Sequence, residues 1–253
     1  MKIAIATDTN SGITAMEGEK LGVFVLAMPV NLEETIHYEG IDITSKQLYD
    51  AMRQHRDVST SQPSPGQLME LWDGILAKGY DEIVYIPMSS GLSGSCQSAA
   101  LFAQDYDGRV HVVDNHRISV TQKESVISAL RLVGQGYDAG QIRDFLEKHA
   151  YDASIYITVD SMEYLKKGGR VTPAAATLAT VLNLKPVLTI QGDKLDAFAK
   201  VRYAVFGCGN PYGTTYGEEI VVPGNIEKAA ALLKEARQAD GATGAGGVVE
   251  LEI

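Results

Sequence analysis

The feature that most constrains this chain is an alternation of short apolar runs with segments of helical spacing in its first half. The apolar runs are too short for confident helices, and polar or glycine-containing stretches bound them. The runs cover residues 2–8, 22–32, 82–88 and 109–114, and the helical segments cover 46–56, 66–78, 94–104 and 120–133. Because buried strands that alternate with helices form parallel βαβ units, the pattern predicts a layered α/β lobe with a mainly parallel sheet.

A second α/β lobe is predicted to begin near residue 154, which gives domains at 1–153 and 154–253. Its predicted elements are a strand at 154–160, a helix stopped by glycine at 160–169, a helix at 172–184 and a hairpin at 186–201 that turns at Gly192 and Asp193. This succession favours a mixed sheet. After about residue 203 the chain is short and atypical, with a loop, a strand at 219–222, a helix at 226–239 and a strand at 248–253.

Charge and cysteine content exclude several classes of protein. The 253 residues carry a formal net charge of −10, which opposes broad attraction to nucleic acid or to anionic lipid. No uncharged apolar run approaches the ~18 residues needed to span a membrane, and the start does not resemble a secretory signal. Cys96 and Cys208 are not closely spaced, so we expect neither a metal site nor a disulfide framework. This cysteine content fits a reducing compartment, and we therefore expect a cytoplasmic location.

The first candidate site is the segment TSQPSPG. Ser64 is placed to cap a helix that begins at Pro65, which accounts for the prolines. Thr60, Ser61 and Gln62 stand together just before them and are not explained in this way. Because loops beside helix N-termini often bind ligands, a structural helix entry and a ligand contact are equally good interpretations.

The second candidate site is PMSSGLSGSCQSA, between a predicted strand and a predicted helix. It offers four serine hydroxyls and two glycines: Ser89, Ser90, Ser93, Ser95, Gly91 and Gly94. Backbone N–H groups, freed to approach by glycine, and the positive end of a helix dipole suit a carboxylate or a phosphate. The carboxyl end of a parallel strand is also where open α/β sheets bind ligands. A serine-rich helix cap without a ligand is the alternative.

Three further features carry weaker signals. In LKKGGR, a glycine cap accounts for the lysines but not for Arg170, whose planar fork suits a carboxylate or a phosphoryl group. Asp8 and Asp114 follow predicted strands, and we expect each to organise its turn by hydrogen bonding to the backbone rather than to act in chemistry.

A serine-dependent hydrolase or phosphotransferase acting on a small acidic substrate is the rival interpretation. It would use Ser93 as the nucleophile with Asp114 or His116 assisting. The sequence around Ser93 is GLSGS, which lacks the G-x-S-x-G spacing, and no spacing brings His111 or His116 to it. A binding protein for some other small acid, without a long apolar tunnel, also remains open. We find no P-loop and no metal cluster in the sequence.

Taken together and in order, five motifs resemble the DegV family. They are TDTNSG, TSQPSPGQ, PMSSGLSGSCQSA, VVDNHRIS and YLKKGGRVTPAAATLATVLNLKPVL, and the resemblance spans about Met1 to Arg202. It implies two α/β lobes with a lipid tunnel between or within them, and a bound long-chain fatty acid such as palmitate, stearate or oleate. It also implies a carrier with no cofactor and no catalysis of its own. The implied role is to present the carboxylate to a bacterial fatty acid kinase that makes acyl-phosphate for phospholipid synthesis.

The resemblance also assigns residues. In this family the TSQPS hydroxyls and the SSGLSG loop hold the carboxylate, which implies Thr60 or Ser61 together with Ser93 and neighbouring amides. The ligand-binding set implied here is Thr60, Ser61, Ser89, Ser90, Gly91, Ser93 and Gly94. Arg170 corresponds to an arginine implicated in phosphoryl transfer or docking. The family's usual C-terminal His-Thr-Gly-Pro-Gly segment is missing, since no histidine follows His149.

Overall fold

The computed structural model describes residues 1–159, 161–178, 185–190 and 194–201. The chain divides into two compact units, the first holding Met1–Ala153 and the second beginning at Ser154. The predicted hairpin turn at Gly192 and Asp193, and every element predicted after residue 203, lie outside the described residues.

The strands and helices are numbered in chain order. The strands are β1 (Ile3–Asp8), β2 (Val23–Leu26), β3 (Pro29–Leu32), β4 (Thr35–Tyr38), β5 (Val58–Thr60), β6 (Glu82–Ile86), β7 (Val110–Val112), β8 (Tyr156–Thr158), β9 (Lys185–Ile190) and β10 (Leu195–Val201). The α-helices are α1 (Ala15–Leu21), α2 (Ser45–Arg53), α3 (Pro65–Ala77), α4 (Ser95–Phe102), α5 (Ser119–Gly134), α6 (Ala139–Lys148), α7 (Glu163–Lys167) and α8 (Pro173–Leu178). Short 3-10 helices occupy Thr9–Ser11, Ala103–Tyr106 and Ala150–Asp152.

The predicted parallel sheet of the first unit is confirmed. Its order is β2-β1-β6-β7, and each neighbouring pair is parallel. The chain leaves β1 for β2 on one side and returns to β6 on the other, so the strand order reverses between β1 and β6. In open α/β sheets such a reversal opens a crevice at the carboxyl ends of the strands.

Both faces of this sheet are buried, which explains why its strands are apolar throughout. Ala4, Ala6 and Tyr85 belong to one core cluster, which also includes the fully buried Trp72 of α3. Ile5 and Val84 belong to a second cluster, built with residues of α5 and α6. Successive side chains of a strand point to opposite faces, so one strand contributes to both clusters. The result is a three-layer α/β/α arrangement.

The prediction of one strand over residues 22–32 is wrong. β2 pairs with β1 in the parallel sheet, whereas β3 is the central strand of a separate antiparallel sheet with order β4-β3-β5. Pro29 begins β3, as expected of a residue that has no N–H to donate within a strand interior. The short strands β4 and β5 were not predicted.

The helices predicted at 46–56, 66–78, 94–104 and 120–133 agree with α2, α3, α4 and α5 to within a few residues, whereas α1 was not predicted. Ser64 caps α3, as predicted: its hydroxyl accepts a hydrogen bond from the N–H of Gln67, and the Gln67 side chain returns to the Ser64 N–H. This reciprocal arrangement satisfies two of the donors that a helix start leaves without partners.

In the second unit, the described strands form a sheet with order β10-β9-β8, in which both pairs are antiparallel. The predicted hairpin strands β9 and β10 are confirmed. One isolated parallel bridge joins Val171 to Leu195. The α7 helix ends at Lys167 with Gly168 as its C-cap residue, and Gly169 takes the left-handed conformation with φ of 68°. The part of the predicted second helix at 179–184 lies outside the described residues.

Candidate functional site

The serine loop, residues 87–94, follows β6 and leads into α4 at the carboxyl edge of the parallel sheet. It therefore lies at the crevice where the strand order reverses. Ser89 is buried, Ser90 and Ser93 are partly exposed, and Gly94 is exposed. The structure thus places the second predicted site where an α/β sheet binds its ligands.

Most amides of the serine loop already have acceptors within the protein. The Ser89 N–H donates to the carbonyl of Arg117 at 2.8 Å, and the Ser93 N–H donates to the carbonyl of Ser89 at 3.2 Å. The Ser90 N–H donates to Asp114 Oδ1 at 3.3 Å, and the Gly91 N–H donates to Ser89 Oγ at 3.2 Å. These N–H groups hold the loop in shape. The donors that this loop could offer to an anion are therefore its serine hydroxyls and the N–H groups at the start of α4.

The start of α4 has an unusual polar environment. Gly94 is the cap residue and provides no side-chain hydrogen bond to the helix. Ser93 Oγ accepts from the Ser95 N–H at 3.2 Å, so its own hydroxyl hydrogen can point to a further acceptor. The Ser95 hydroxyl is buried, with the residue 4% exposed, and within the described part of the chain its oxygen has no hydrogen-bond partner. A buried hydroxyl without a partner is uncommon in proteins.

The segment containing Thr60 and Ser61 lies beside α4. The Ser98 hydroxyl donates to Gln62 Oε1 at 3.2 Å, and the same oxygen lies 3.2 Å from the position that a Cβ on Gly94 would occupy. Glycine at residue 94 therefore allows this close approach. Thr60 pairs with Val30 at the end of β5, and both Thr60 and Ser61 are exposed. The structure thus brings the two predicted sites together, through Gln62.

Asp8 lies beneath the serine loop at the carboxyl end of β1. It is completely buried. Its carboxylate accepts from the Met88 N–H at 3.0 Å, from the Asn10 N–H at 3.0 Å and from Gln122 Nε2 at 3.1 Å. Burial raises the pKa of Asp8, and the hydrogen bonds from Met88 and Gln122 act in the opposite direction. The prediction that Asp8 organises its own turn is confirmed by the bond from Asn10.

The loop after β7 supports the serine loop from the other side. Asp114 accepts from the Ser90 N–H, and so it organises a neighbouring loop. His116 and Ser119 both have positive φ, at 56°, a conformation that non-glycine residues rarely adopt. Between them, the Arg117 guanidinium donates to the carbonyls of His149 and Ala150 at 2.6 and 3.3 Å. Backbone strain at such positions persists only where the surroundings enforce it.

The geometry gives little support to a nucleophilic serine. Within the described residues, Ser93 forms no hydrogen bond to a histidine or a carboxylate; its oxygen accepts from Ser95. His116 Nδ1 lies 4.0 Å from Asp114 Oδ1, which is itself held against Ser90. Burial raises the pKa of the neighbouring Cys96 thiol to about 12, so this thiol is protonated and a poor nucleophile at neutral pH.

Arg170 belongs to the second unit. Its Nη1 donates to the carbonyl of Gly168 at 2.6 Å, so part of the guanidinium folds back onto the turn after α7. A Cβ at residue 168 would lie 2.9 Å from the same nitrogen. Glycine at this position therefore permits the folded-back arrangement, which leaves the phosphoryl-transfer or docking role of Arg170 a prediction.

Among the described residues, no group of three or more histidine, cysteine, aspartate or glutamate side chains is placed to hold a metal ion. In the same part of the chain, no helix has the length and apolar character to cross a membrane.

The ligand set implied by the resemblance leaves out three side chains that the structure places at this site. Gln62 and Ser95 lie within the two motifs, but no local rule separates a hydroxyl that lacks a partner from one that caps a helix. Asp8 was assigned to its own turn. Its bond to Met88 joins residues 80 positions apart, and only the pairing of β1 with β6 brings them together.

Comparison with known sequences gives a consistent result. A family model described as "uncharacterised protein, DegV family" matches residues 2–204. A DegV domain-containing protein from Deinococcus radiodurans is 36% identical over 203 residues, which cover 80% of this chain and 72% of the relative. Another from Streptococcus pneumoniae is 32% identical over 205 residues, covering 80% of this chain and 73% of the relative.

Solved structures share the fold. A structure described as "fatty acid binding of a DegV family protein" from Thermus thermophilus has a TM-score of 0.78 and 30% identity, covering 96% of this chain and 79% of the other. A stearic acid-binding protein from Eubacterium ventriosum has a TM-score of 0.72 and 21% identity, covering 97% of this chain and 90% of the other. At the lower identity, the likeness shows the fold alone.

Proposed function

The chain belongs to the DegV family, and from this premise we propose that it binds a long-chain fatty acid such as palmitate, stearate or oleate, with no cofactor. The carboxylate lies against the hydroxyls of Thr60, Ser61 and Ser93 and against the start of α4. The Thermus thermophilus protein, described by its fatty acid binding, supports this assignment because it shares both the fold and 30% of the aligned residues.

The observation that carries the proposal is the state of the helix start. Among the residues that the structure describes, none pairs with the buried Ser95 hydroxyl, and Gly94 gives the first turn of α4 no side-chain cap. A carboxylate is an acceptor-only group, so it takes hydrogen bonds from hydroxyls and from N–H groups at once. The partial positive charge of the helix start adds to these bonds.

The loop geometry divides the predicted ligand set into two roles. Ser89, Ser90 and Gly91 use their N–H groups to shape the serine loop, so their contribution is to the form of the site. Ser93 has a hydroxyl hydrogen that is not committed to the loop, and it is the serine-loop residue that we propose contacts the carboxylate directly.

The acyl chain supplies most of the affinity. Burying each methylene contributes roughly 0.8 kcal/mol, so a sixteen-carbon chain contributes on the order of 10 kcal/mol before association costs. A small polar clamp is then sufficient to fix the carboxylate. A sixteen-carbon acyl chain requires a narrow apolar tunnel ~20 Å long in the protein, and we include such a tunnel in the proposal.

We propose further that the protein is a cytoplasmic carrier without catalysis of its own, and that it presents the carboxylate to a fatty acid kinase. The acyl-phosphate formed there would enter phospholipid synthesis. Arg170 is the proposed residue for phosphoryl transfer or docking. The resemblance of the motifs supports this part of the proposal.

The binding proposal is tested by extracting lipid from the purified protein and by titrating delipidated protein with palmitate and with hexadecanol. We expect co-purified acyl chains and a preference for the acid. Ser93→Ala should lower palmitate affinity by about 1–3 kcal/mol, because a desolvated carboxylate loses a donor. Ser45→Ala is the control, since Ser45 is an exposed serine at the start of α2, outside both predicted segments. Absence of acyl chains and of palmitate binding would refute the proposal.

The presentation role requires a separate assay. Palmitate-loaded protein is incubated with a bacterial fatty acid kinase and ATP, and acyl-phosphate is measured. Arg170→Ala should lower acyl-phosphate formation while palmitate binding is retained. Esterase and ATPase activity of the protein alone, abolished by Ser93→Ala, would instead support the hydrolase or phosphotransferase interpretation.

A further inference from the structure

Asp8 is the one acidic side chain among the fully buried residues of the parallel sheet and its loops in the described structure. It stands at the end of β1, next to β6, where the strand order reverses. A buried carboxylate is costly unless hydrogen bonds compensate for lost water. The cost shows in the raised pKa of Asp8. Its presence therefore calls for a physical reason.

The two oxygens of Asp8 serve different segments. Oδ1 accepts from the Asn10 N–H at 3.0 Å and from Gln122 Nε2 at 3.1 Å, which ties it to its own turn and to α5. Oδ2 accepts from the Met88 N–H at 3.0 Å, directly before the first serine of the serine loop. Only an acceptor-only group can accept donors on both sides in this way.

Asp8 is one of three anchors on consecutive amides. The N–H groups of Met88, Ser89 and Ser90 donate to the Asp8 carboxylate, the Arg117 carbonyl and the Asp114 carboxylate. Asp8 lies at the end of β1, whereas Asp114 and Arg117 both lie in the loop that follows β7. The first anchor is the most deeply buried of the three.

The anchored amides control the serine that faces the ligand. The carbonyl of Ser89 accepts from the Ser93 N–H at 3.2 Å, and Ser93 Oγ accepts from the Ser95 N–H at 3.2 Å. A displacement at Met88 thus passes through Ser89 to the Ser93 and Ser95 hydroxyls. Binding sites of this kind lose affinity when supporting groups shift by a fraction of an ångström.

We infer that Asp8 is a positioning residue of the carboxylate site, which fixes the serine loop through the Met88 amide and so determines the preference for an acid over an uncharged head group. Gln122 holds Asp8 in place, since its Nε2 also lies 3.1 Å from the carbonyl of Ile86 at the end of β6. This inference rests on the proposed fatty acid binding.

The test compares palmitate with hexadecanol on the full chain. Asp8→Asn keeps the shape but replaces one acceptor oxygen by a donor, which then faces the N–H of Met88 or the donors at Oδ1. We expect palmitate affinity to fall on the order of ten-fold or more, the loss typical of a hydrogen bond to a charged group, and hexadecanol affinity to stay the same. Amide hydrogen exchange at Met88 should accelerate. A purely structural role would weaken both ligands equally.

A matched control and a second variant complete the design. Asp73→Asn changes an exposed carboxylate that accepts from the Tyr106 hydroxyl at 2.9 Å, outside the serine loop, and should leave both affinities unchanged. Gln122→Met removes a donor to Asp8 with little change of volume, and should give a smaller loss in the same direction. It also serves if Asp8→Asn does not fold.

The outcomes separate the inference from the function on which it rests. If the wild-type protein binds no fatty acid, the proposed function fails. If the wild type prefers palmitate and both Asp8→Asn and Gln122→Met keep that preference and a slow Met88 amide, the inference is overturned and the function stands.

Discussion

The substitution Ser95→Ala is expected to have opposite effects on stability and on ligand binding, because both depend on the same hydroxyl group. The Ser95 hydroxyl is buried and has no hydrogen-bond partner in the described structure. Leaving such a group without a partner costs about 1–3 kcal/mol of folding free energy. Ser95→Ala removes the hydroxyl and a small amount of packing, so we expect the ligand-free protein to gain about 1 kcal/mol. For a chain of this size, that gain corresponds to a Tm increase of roughly 2–4 °C.

The same substitution should weaken ligand binding. If the hydroxyl donates to the carboxylate, its loss removes a hydrogen bond to a charged acceptor, worth about 1.5–3 kcal/mol. Palmitate affinity should then fall by roughly ten-fold or more, while hexadecanol, whose head group carries no charge, should be affected less. Calorimetry of delipidated protein measures stability, and titration with each ligand measures affinity.

Ser11→Ala is the matched control for a buried serine that is satisfied. The Ser11 hydroxyl donates to the carbonyl of Asp8 at 2.7 Å and accepts from the Ile13 N–H at 3.2 Å. Its removal leaves buried groups unpaired, so this variant should lose about 1–3 kcal/mol. If Ser95→Ala loses stability as Ser11→Ala does, the hydroxyl is not unsatisfied. If Ser95→Ala is stabilised and binds palmitate like the wild type, its role in binding is refuted.

Three further predictions concern stability and reactivity. Gly18→Ala should destabilise the protein by about 1–3 kcal/mol despite the better helix propensity of alanine, because the new Cβ would lie 2.8 Å from the backbone oxygen of Val23. An unchanged free energy of unfolding in chemical denaturation would show that the helix shifts to make room. Ser64→Ala removes the capping box of α3 and should cost about 1 kcal/mol in the same assay, whereas Ser64→Asp should retain most of the stability. In a Cys208→Ser background, Cys96 should react with a thiol reagent only after unfolding. Because the folded pKa of Cys96 is raised from 9.0 to about 12, its contribution to the free energy of unfolding should be complete below pH 9. This contribution should be lost by about 1.4 kcal/mol per pH unit as the pH rises toward 12. A Cys96→Ala variant whose free energy of unfolding falls with pH as steeply as before would contradict this.

The parallel sheet was predictable because its signal is local and strong. Strands buried on both faces must be apolar throughout, and the runs at β1 and β6 meet that condition. The capping of α3 was predictable for the same reason, since Ser64 and the helix it caps are adjacent in sequence.

The antiparallel sheet was not predictable in this way. β5 is three residues long, and Ser59 pairs with Asn31, which is 28 positions earlier. Strands this short carry little periodicity, so their pairing depends on the chain that packs around them. The same limit explains why residues 22–32 read as one strand.

The sequence by itself determined the fold class and identified the motifs around Thr60 and Ser93 as candidates, because periodicity, capping residues and motifs are local patterns. Only the tertiary structure decided which groups remain for a ligand. It pairs the amides of the serine loop with acceptors inside the protein, and it gives the Ser95 hydroxyl no partner among the described residues. It also places the Asp8 carboxylate under Met88. The physical reason is that hydrogen-bond satisfaction depends on partners brought together from distant strands, and no spacing along the chain encodes it.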